Sequence, residues 1–322
     1  KPFGTITVSP DFELEGPGKN IDSMDFWEAP DPANTQLFVT AKGNSLLEVW
    51  QHPFRDAGKP PLKHKTFGSS QVNGVVVDQE TDLMYIAVAG PASTVSVFRL
   101  PELEFVMNFS KRRAVYSGEP NIALLKLSSG GKRIYVSSDD IVYIHDATTG
   151  EYLDEFFPKK GLETIAADHY YQRLYIPDEN DRTGIYSYHP NGKPYEQNGK
   201  NCFGEDDFQK DAEGIIIYTC GSDSVADNGR GFIVVSDQKK EITEFEFYDR
   251  QSWQHLGKLK IEGVSNTDGI ASFQKPLPDY PLGVFVAIND DSTTVGVGWK
   301  KIFREMGMTF SGTSHRNSEL LK

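Results

Sequence analysis

Six segments of the chain follow one common pattern, and this repetition limits the fold more than any other feature of the sequence. Each segment opens with a polar residue, here called the leader, and continues through three short runs of β-forming residues separated by turns. Successive leaders are 51, 48, 42, 50 and 55 residues apart, and they are Asp22, Asn73, Asn121, Glu163, Glu213 and Asp268. Propeller blades hold about 40–50 residues each. The sequence therefore predicts an all-β, six-bladed β-propeller.

The runs inside the repeats have the composition of strands. They are rich in Val, Ile, Tyr and Phe and are bounded by Gly, Pro, Asn and Asp, as strands and turns are. The second runs cover residues 37–40, 84–88, 133–137, 174–177, 232–236 and 284–288, and the third runs cover 47–50, 95–100, 142–145, 185–188, 244–248 and 295–299. An irregular all-β fold is the alternative.

The ends of the chain fit the same scheme. Residues 3–8 alternate like a strand, and we predict that they complete the last blade and close the ring. We expect one propeller domain over residues 1–303, followed by a polar C-terminal tail over residues 304–322.

The charge balance excludes some classes of partner. The chain carries 33 Lys and Arg against 46 Asp and Glu, a formal net charge of −13. A nucleic-acid partner is not expected, because phosphate neutralisation requires a basic face. No apolar stretch approaches the roughly 18 residues of a membrane span, so no membrane partner is expected. The acidity favours cationic partners, either metal ions or basic substrates.

Weaker features concern the compartment. The chain starts at Lys1 without Met, carries a glycosylation sequon at Asn108, and has two cysteines, Cys202 and Cys220. From these we expect a secreted protein and a monomer. The cysteines form a disulfide or remain two separate thiols, and their spacing does not decide between these alternatives.

The leaders predict a metal site. The first strand of each propeller blade lines the central axis, so the leaders should converge at one mouth of the channel. Four carboxylates and two amides would meet there, and their repulsion would be relieved by protonation or by a bound cation. A donor set of oxygens favours a hard cation, and Ca²⁺ tolerates irregular geometry best. Turn preference alone would explain Asp and Asn at these positions but not Glu163 and Glu213.

Further acidic residues lie in the turns between second and third strands, which should reach the same face. These turns contain Asp139-Asp140, residues 178–181, Asp237 and residues 289–291, and Asp211 lies near them. Their repetition at one point of the pattern predicts a second cation site.

Several motifs resemble the β-propeller phytases. They are Asp211-Ala212-Glu213-Gly214, Thr267-Asp268-Gly269-Ile270 and residues 280–287, together with residues 162–168 and Asp22 followed by Phe26-Trp27. The resemblance covers most of the chain and is strongest over residues 162–287. It implies a six-bladed propeller in which several Ca²⁺ ions hold phosphates and present a bridging water as nucleophile. It further implies Asp22, Glu163, Asp178, Asp211, Glu213 and Asp268 as calcium carboxylates and Lys42 as a phosphate-binding lysine.

The chain lacks several of the residues with which that family contacts phosphate. Ser23 replaces the second Asp of an opening pair, and no base stands near residues 89–91, where a phosphate-contacting Arg is expected. A Tyr near Asn121 and a second Lys near Asp139 are also missing. The substrate implied is therefore an anion that need not be phytate. Arg112, Arg113, Lys159, Lys160, Arg182 and Lys210 lie in loops, where we expect solvated surface charge.

Three functions follow as hypotheses. The first is a calcium-dependent phosphoester hydrolase with Glu163, Glu213, Lys42 and His169 as candidate catalytic residues and a small-molecule or saccharide anion as substrate. The second is a calcium-dependent lactonase, in which the ion would polarise a carbonyl oxygen, or a uronic-acid polysaccharide lyase, whose base would come from His64, His169, Tyr170 or Tyr171. The third is a non-catalytic, calcium-stabilised binding module, because a propeller fold does not fix a function.

Overall fold

The structure is a computed structural model that describes residues 2–54, 60–91, 93–109, 116–158, 161–180, 184–220 and 226–308. The described residues form six small sheets arranged as a six-bladed β-propeller, which confirms the fold predicted from the repeats. Within each blade, consecutive strands pair antiparallel from the axis outward. The inner strands of neighbouring blades contact one another around a closed ring.

Two strands at the start of the chain join blades that are built mostly from later residues. They are β1 (Gly4–Val8) and β2 (Phe12–Glu15). The first three blades contain β3 (Ile21–Trp27), β4 (Gln36–Ala41), β5 (Leu46–Gln51) and β6 (Lys63–Thr66), then β7 (Gln71–Asp78), β8 (Leu83–Ala89), β9 (Thr94–Arg99) and β10 (Glu104–Asn108), then β11 (Asn121–Lys126), β12 (Lys132–Ser138), β13 (Ile141–Asp146) and β14 (Tyr152–Phe156).

The last three blades continue the same arrangement. They contain β15 (Ala166–Asp168), β16 (Arg173–Pro177), β17 (Ile185–Tyr188) and β18 (Cys202–Phe203), then β19 (Ala212–Thr219), β20 (Gly231–Asp237), β21 (Glu244–Asp249) and β22 (His255–Ile261), then β23 (Ile270–Phe273), β24 (Val284–Asn289) and β25 (Thr293–Gly298). Every predicted second run lies within a strand, and so do the third runs except for their extreme residues Leu100 and Trp299.

The core is divided into six apolar clusters, one between each pair of adjacent blades. Strands β4 and β20 are buried along their whole length because both of their faces pack against a neighbouring blade. Such strands are nearly continuous apolar runs and do not alternate with polar residues. The packing between blades thus explains why the second runs were the clearest part of each repeat.

The ring is closed by β2, and the prediction that residues 3–8 complete the last blade is wrong. Strand β2 pairs antiparallel with β25 in the sixth blade, whereas β1 pairs parallel with β22 as a fifth strand of the fifth blade. Two glycines account for this placement, because added Cβ atoms would overlap the Phe12 ring at Gly296 and the Gly4 carbonyl at Gly257. Each of these N-terminal strands therefore lies against a glycine of its partner strand, where the missing side chain leaves space for it.

A short helix follows the last strand. Helix α1 (Trp299–Glu305) buries Trp299, Ile302 and Phe303 in the cluster between the fifth and sixth blades. The helix crosses the boundary predicted at residue 303, and residues 309–322 of the predicted tail lie outside the described residues. Among the described residues, no helix has the length and apolarity needed to cross a membrane. Cys202 and Cys220 are both buried free thiols.

The closure can be tested at Phe12. Its ring is buried and lies 5.4 Å from the Phe54 ring and 6.0 Å from the Tyr280 ring, between centroids. We expect Phe12→Ala to lower the free energy of unfolding by about 3 kcal/mol, the usual cost of deleting a buried Phe side chain. Phe105, which is 56% exposed on β10, is the control. Phe105→Ala should change stability by less than about 0.5 kcal/mol in the same denaturant titration; equal losses for both variants would contradict closure through β2.

Candidate functional site

The leaders lie at the beginning of the six inner strands. Asp22, Asn73 and Glu213 occupy points where the register between the first and second strands of a blade shifts. Such β-bulges redirect side chains and are frequent at functional sites. Glu163 and Asp268 lie three and two residues before the first residues of their inner strands, and Asn121 is the first residue of β11. All six therefore belong to the same mouth of the channel.

The residues that follow three of the leaders bring neighbouring inner strands into close contact. An added Cβ at Gly74 would lie 2.7 Å from the Cα of Asn121. Cβ atoms at Gly214 and Gly269 would overlap the carbonyl oxygens of Asp268 and Asp22. Glycine is needed at these positions because each one touches the backbone of the leader in the next blade. The acidic leaders are thus held close together by the backbone itself.

Three glutamates form the centre of the site. Glu163, Glu179 and Glu213 each offer a carboxylate oxygen, and these three oxygens lie within 4.8 Å of one another. Burial raises the pKa of Glu213 well above its usual range, and the neighbouring Glu163 raises it further. Burial and Glu163 also raise the pKa of Glu179 to about 9. Burial disfavours the charged form of Glu163 as well, but hydrogen bonds from Glu213 and Glu179 lower its pKa. Burial and the crowding of negative charge therefore oppose ionisation of Glu179 and Glu213.

Lys42 lies near Glu163 of the triad, among carboxylates of its own blade and of two other blades. Its Nζ is 2.6 Å from Glu119 Oε2, 3.2 Å from Asp22 Oδ1 and 3.7 Å from Asp268 Oδ2. Burial by itself would lower the pKa of Lys42, but these carboxylates raise it above its ordinary value. Burial raises the pKa of Asp22 to about 6 and that of Asp268 to about 8, even with Lys42 present. One ammonium does not compensate all of the charge.

Buried polar atoms without a partner show where a ligand is needed. Within the described part of the chain, Glu213 Oε2 is buried and has no hydrogen-bond partner. Asn73 is fully buried, and neither Oδ1 nor Nδ2 has a partner among the described residues. Such orphaned atoms are rare in native proteins and call for an ion or a water molecule. The oxygen donors present fit a hard cation such as Ca²⁺.

The remaining predicted ligands lie at the edge of this cluster. Asp211 is close enough for its charge to raise the pKa of Glu179. Asp178 Oδ1 accepts hydrogen bonds from Asn180 N at 2.9 Å and from Asn180 Nδ2 at 2.7 Å, so this oxygen stabilises its own turn. Asn121 Oδ1 likewise accepts the backbone N–H of Ile122 at 2.8 Å. In the turn after the second strand of this blade, the carboxylate that joins the triad is therefore that of Glu179, one residue after Asp178.

The structure does not bring His169 to the carboxylates. His169 follows the end of β15, and its Nδ1 accepts the backbone N–H of Lys126 at 3.1 Å, at the far end of β11. A cavity of about 290 Å³ occupies the channel between the two ends and is lined by Thr164 and Gly214 near the leaders and by His169 and Arg250 at the other end. Tyr170 and Tyr171 also lie at this far end, near the guanidinium of Arg250. His64 lies on β6, the outermost strand of its blade.

The acidic turns predicted to form a second cation site behave differently from one another. Glu179 and Asp291 join the axial cluster, where Asp291 and Asp268 interact. Asp139 accepts a hydrogen bond from the Ser117 hydroxyl. Asp237 accepts the backbone N–H groups of Gln209 at 3.0 Å and Lys210 at 2.8 Å.

Asp237 also belongs to a second acidic group, which is already neutralised. Glu244 and Glu246 lie close to it, within the fifth blade. Lys239, Lys258 and Lys260 each approach Glu244 to 2.6–2.8 Å. Burial opposes ionisation of Glu244, but these lysines lower its pKa to about 2. Lysines therefore take the place of a cation in this group.

Sequence reasoning missed Glu119 as a site residue and named Glu179 and Asp291 only as parts of acidic turns. The available signal for Glu119 was its place just before Pro120 at the opening of the third repeat.

Among the basic loop residues considered, Arg112, Arg113, Lys159, Lys160 and Arg182 lie outside the described residues. Lys210 is exposed.

A six-bladed propeller whose axial mouth gathers buried carboxylates and a lysine defines the class of this protein. A family model described as Phytase matches residues 140–307, just over half of the chain, and the chain belongs to this family. The 3-phytase of Bacillus subtilis (strain 168) is 30% identical over 176 residues. That alignment covers 49% of this chain and 44% of the relative, so it spans less than half of the relative's length.

The crowded carboxyls predict how stability changes with pH in the absence of metal. Folding raises the pKa of Asp22 to about 6, of Asp268 to about 8 and of Glu179 to about 9, from ordinary values near 4. A raised pKa means that the folded state binds more protons, so stability is lost as pH rises through these values. We expect the thermal unfolding midpoint in EDTA to fall steadily between about pH 5 and pH 9.

Two variants separate this effect from general surface charge. Asp268→Asn should make the decline with pH shallower, because one titrating group is removed. Glu244→Gln should leave the slope unchanged, because the pKa of Glu244 is about 2 and it stays ionised throughout. A midpoint in EDTA that stays constant or rises across this pH range would contradict the proposed electrostatics.

Proposed function

We propose that the protein is a calcium-dependent phosphoester hydrolase whose reaction takes place at the axial mouth formed by the leaders. The observation that carries this proposal is the triad of Glu163, Glu179 and Glu213, with three oxygens within 4.8 Å in a family described as Phytase. An anionic substrate would be repelled by such a site unless cations were bound there. The cluster is therefore best explained as a holder of cations that in turn receive an anion.

The residues that would hold Ca²⁺ are the acidic leaders and their neighbours. Glu163, Glu179 and Glu213 form the first position, supported by the orphaned Oε2 of Glu213. The further ligands we propose are Asp178 and Asp211, in the same two blades as the triad, and Asp22, Asn73, Asn121 and Asp268, one from each of the other four blades. When bound, Ca²⁺ would polarise a phosphoryl oxygen and favour ionisation of an attacking water molecule.

The chain itself contributes positioning and charge. The backbone at Lys42 is fixed, because its N–H donates to Asn20 O at 3.0 Å and that of Gly43 donates to Lys19 O at 2.8 Å. Its Nζ lies at the mouth, where it contacts Glu119 and Asp22. We propose that its ammonium binds a phosphate oxygen. Glu163 and Glu213 would act through the cation that they hold, which offsets the repulsion between their charge and the phosphate. His169 has no part in this proposal because its ring lies at the other end of β15.

The competing lyase hypothesis lacks a suitably placed base. A lyase at the leaders would draw its base from His64, His169, Tyr170 or Tyr171, and all four lie away from the carboxylates. The family match also favours phosphoester hydrolysis. Secretion and a monomeric state remain predictions from the sequence.

The proposal predicts phosphate release that depends on calcium. We expect the purified protein to release phosphate from phytate or from another phosphomonoester in a substrate panel, and EDTA to abolish this release. Glu163→Gln and Glu213→Gln should each lower kcat/KM by at least about 100-fold, because each removes charge from the cation position. Phosphate release can be followed colorimetrically with calcium restored by dialysis.

Glu246 supplies a matched control. It is as buried as Glu213 but lies in the fifth blade, where it contacts His255 at 2.7 Å and Lys258 at 3.1 Å. Glu246→Gln should retain kcat/KM within about twofold. Full activity after thorough chelation, or turnover of lactones or uronates in place of phosphoesters, would overturn the proposal. Turnover of no substrate at all, with calcium bound, would instead support a binding module.

A further inference from the structure

The axial cluster consists of two parts that differ in how their charge is neutralised. The first part is the triad of Glu163, Glu179 and Glu213, whose carboxylate oxygens lie within 4.8 Å of one another. The second part consists of Asp22, Glu119 and Asp268, whose carboxylates surround the Nζ of Lys42. Asp291 interacts with Asp268 and extends this second part. Only the second part has a cation supplied by the described chain.

The position of Lys42 Nζ is one that a metal ion could occupy. Carboxylate oxygens from three separate segments approach it at 2.6, 3.2 and 3.7 Å, and the side chain of Lys42 is 9% exposed. The side chains of Asp22 and Asp268 are 9% and 13% exposed, so water does little to screen them. An ammonium and a divalent cation cannot both lie between these oxygens.

We infer that Lys42 is an internal competitor for the second cation position, so that its ammonium and a Ca²⁺ ion bind Asp22 and Asp268 in alternation. This inference rests on the proposed function, because it takes the axial cluster to be a calcium site. Binding of the second ion releases Nζ from Asp22 and Asp268. The released ammonium is then free to meet an anion at the mouth, while Asp22 and Asp268 keep a cation beside them in either state.

The fifth blade provides an internal comparison. There Lys239 is similarly buried, with a side chain 12% exposed, and lies 3.4 Å from Asp237 and 2.6 Å from Glu244. Two further lysines contact the same Glu244. Removal of Lys239 would therefore leave that group neutralised, whereas the Asp22–Asp268 pair would lose the ammonium that lies between them. Removal of Lys42 should therefore change calcium binding, whereas removal of Lys239 should not.

The test is a calorimetric titration of the metal-free, full-length protein with CaCl₂. We expect the wild-type protein to bind a first ion at the triad and a second ion more weakly. In Lys42→Met, the dissociation constant of the second step should fall by roughly tenfold or more, because a positive charge within a few ångströms no longer opposes the ion. Lys239→Met should leave both steps unchanged. Glu163→Gln should abolish the first step.

These variants separate failure of the inference from failure of the proposed function. Identical isotherms for wild type and Lys42→Met, with the first step still lost in Glu163→Gln, would overturn the role of Lys42 and leave the calcium site standing. Absence of calcium binding in both wild type and Lys42→Met would overturn both proposals. Binding in Lys42→Met alone would support the competition.

Folding is the remaining concern, because Lys42→Met leaves carboxylates uncompensated. Lys42→Gln, which keeps a hydrogen-bond donor, is therefore titrated in parallel, and unfolding midpoints are measured with and without CaCl₂. Variants that unfold in EDTA but recover the wild-type midpoint in calcium would support the exchange, because the ion then replaces the ammonium. Variants that stay unfolded in calcium would overturn it.

Discussion

The close contact between inner strands at one mouth of the channel is the constraint on which the rest of the structure depends. Gly74, Gly214 and Gly269 allow three of the six inner strands to touch the leader of the next blade. Because the leaders include Asp22, Glu163, Glu213 and Asp268, this contact concentrates negative charge where burial raises the pKa of the carboxyls. The fold thus creates an electrostatic cost that it must offset with protons, with Lys42 or with a metal ion.

The same chain neutralises buried acid in two ways, and the difference follows from position. In the fifth blade, Lys258 and Lys260 project from the outer strand β22 onto Glu244. Long side chains can reach that group from solvent, so ammonium groups satisfy it. At the axis, inner strands crowd from six directions, and Lys42 alone contacts Asp22 and Asp268 among the ion pairs of the described residues. Because the axial cluster has too little positive charge of its own, it is suited to binding cations.

The architecture could be predicted from the sequence because the blades repeat. Buried second strands such as β4 and β20 gave continuous apolar runs, and the intervals between leaders matched blade length. The placement of β1 and β2 could not be predicted, since it depends on Gly257 and Gly296, which make room only in three dimensions. Parallel pairing between β1 and β22 joins residues about 250 positions apart and has no local signal.

The candidate site could be predicted only in part for a similar reason. Leaders stand at equivalent points of the repeat, so their convergence follows from symmetry. Glu119 and Glu179 lie outside that equivalence, and their side chains reach the cluster from a loop and a turn. Whether the oxygens of Asp178 or those of Glu179 face the axis depends on the Asx turn that Asp178 forms with Asn180, which no pattern in the sequence determines.

The most direct test of a cation at the axis is a crystal structure of the protein grown with Ca²⁺. Anomalous scattering is then measured from a second crystal in which Tb³⁺ or Mn²⁺ replaces the Ca²⁺. The proposed site predicts an anomalous peak between the oxygens of Glu163, Glu179 and Glu213 in the substituted crystal. In the calcium crystal, the ion should lie about 2.3–2.6 Å from these oxygens, as is usual for Ca²⁺. A fully resolved triad with no peak between its carboxylates, or metal bound only at Asp237, Glu244 and Glu246, would contradict it.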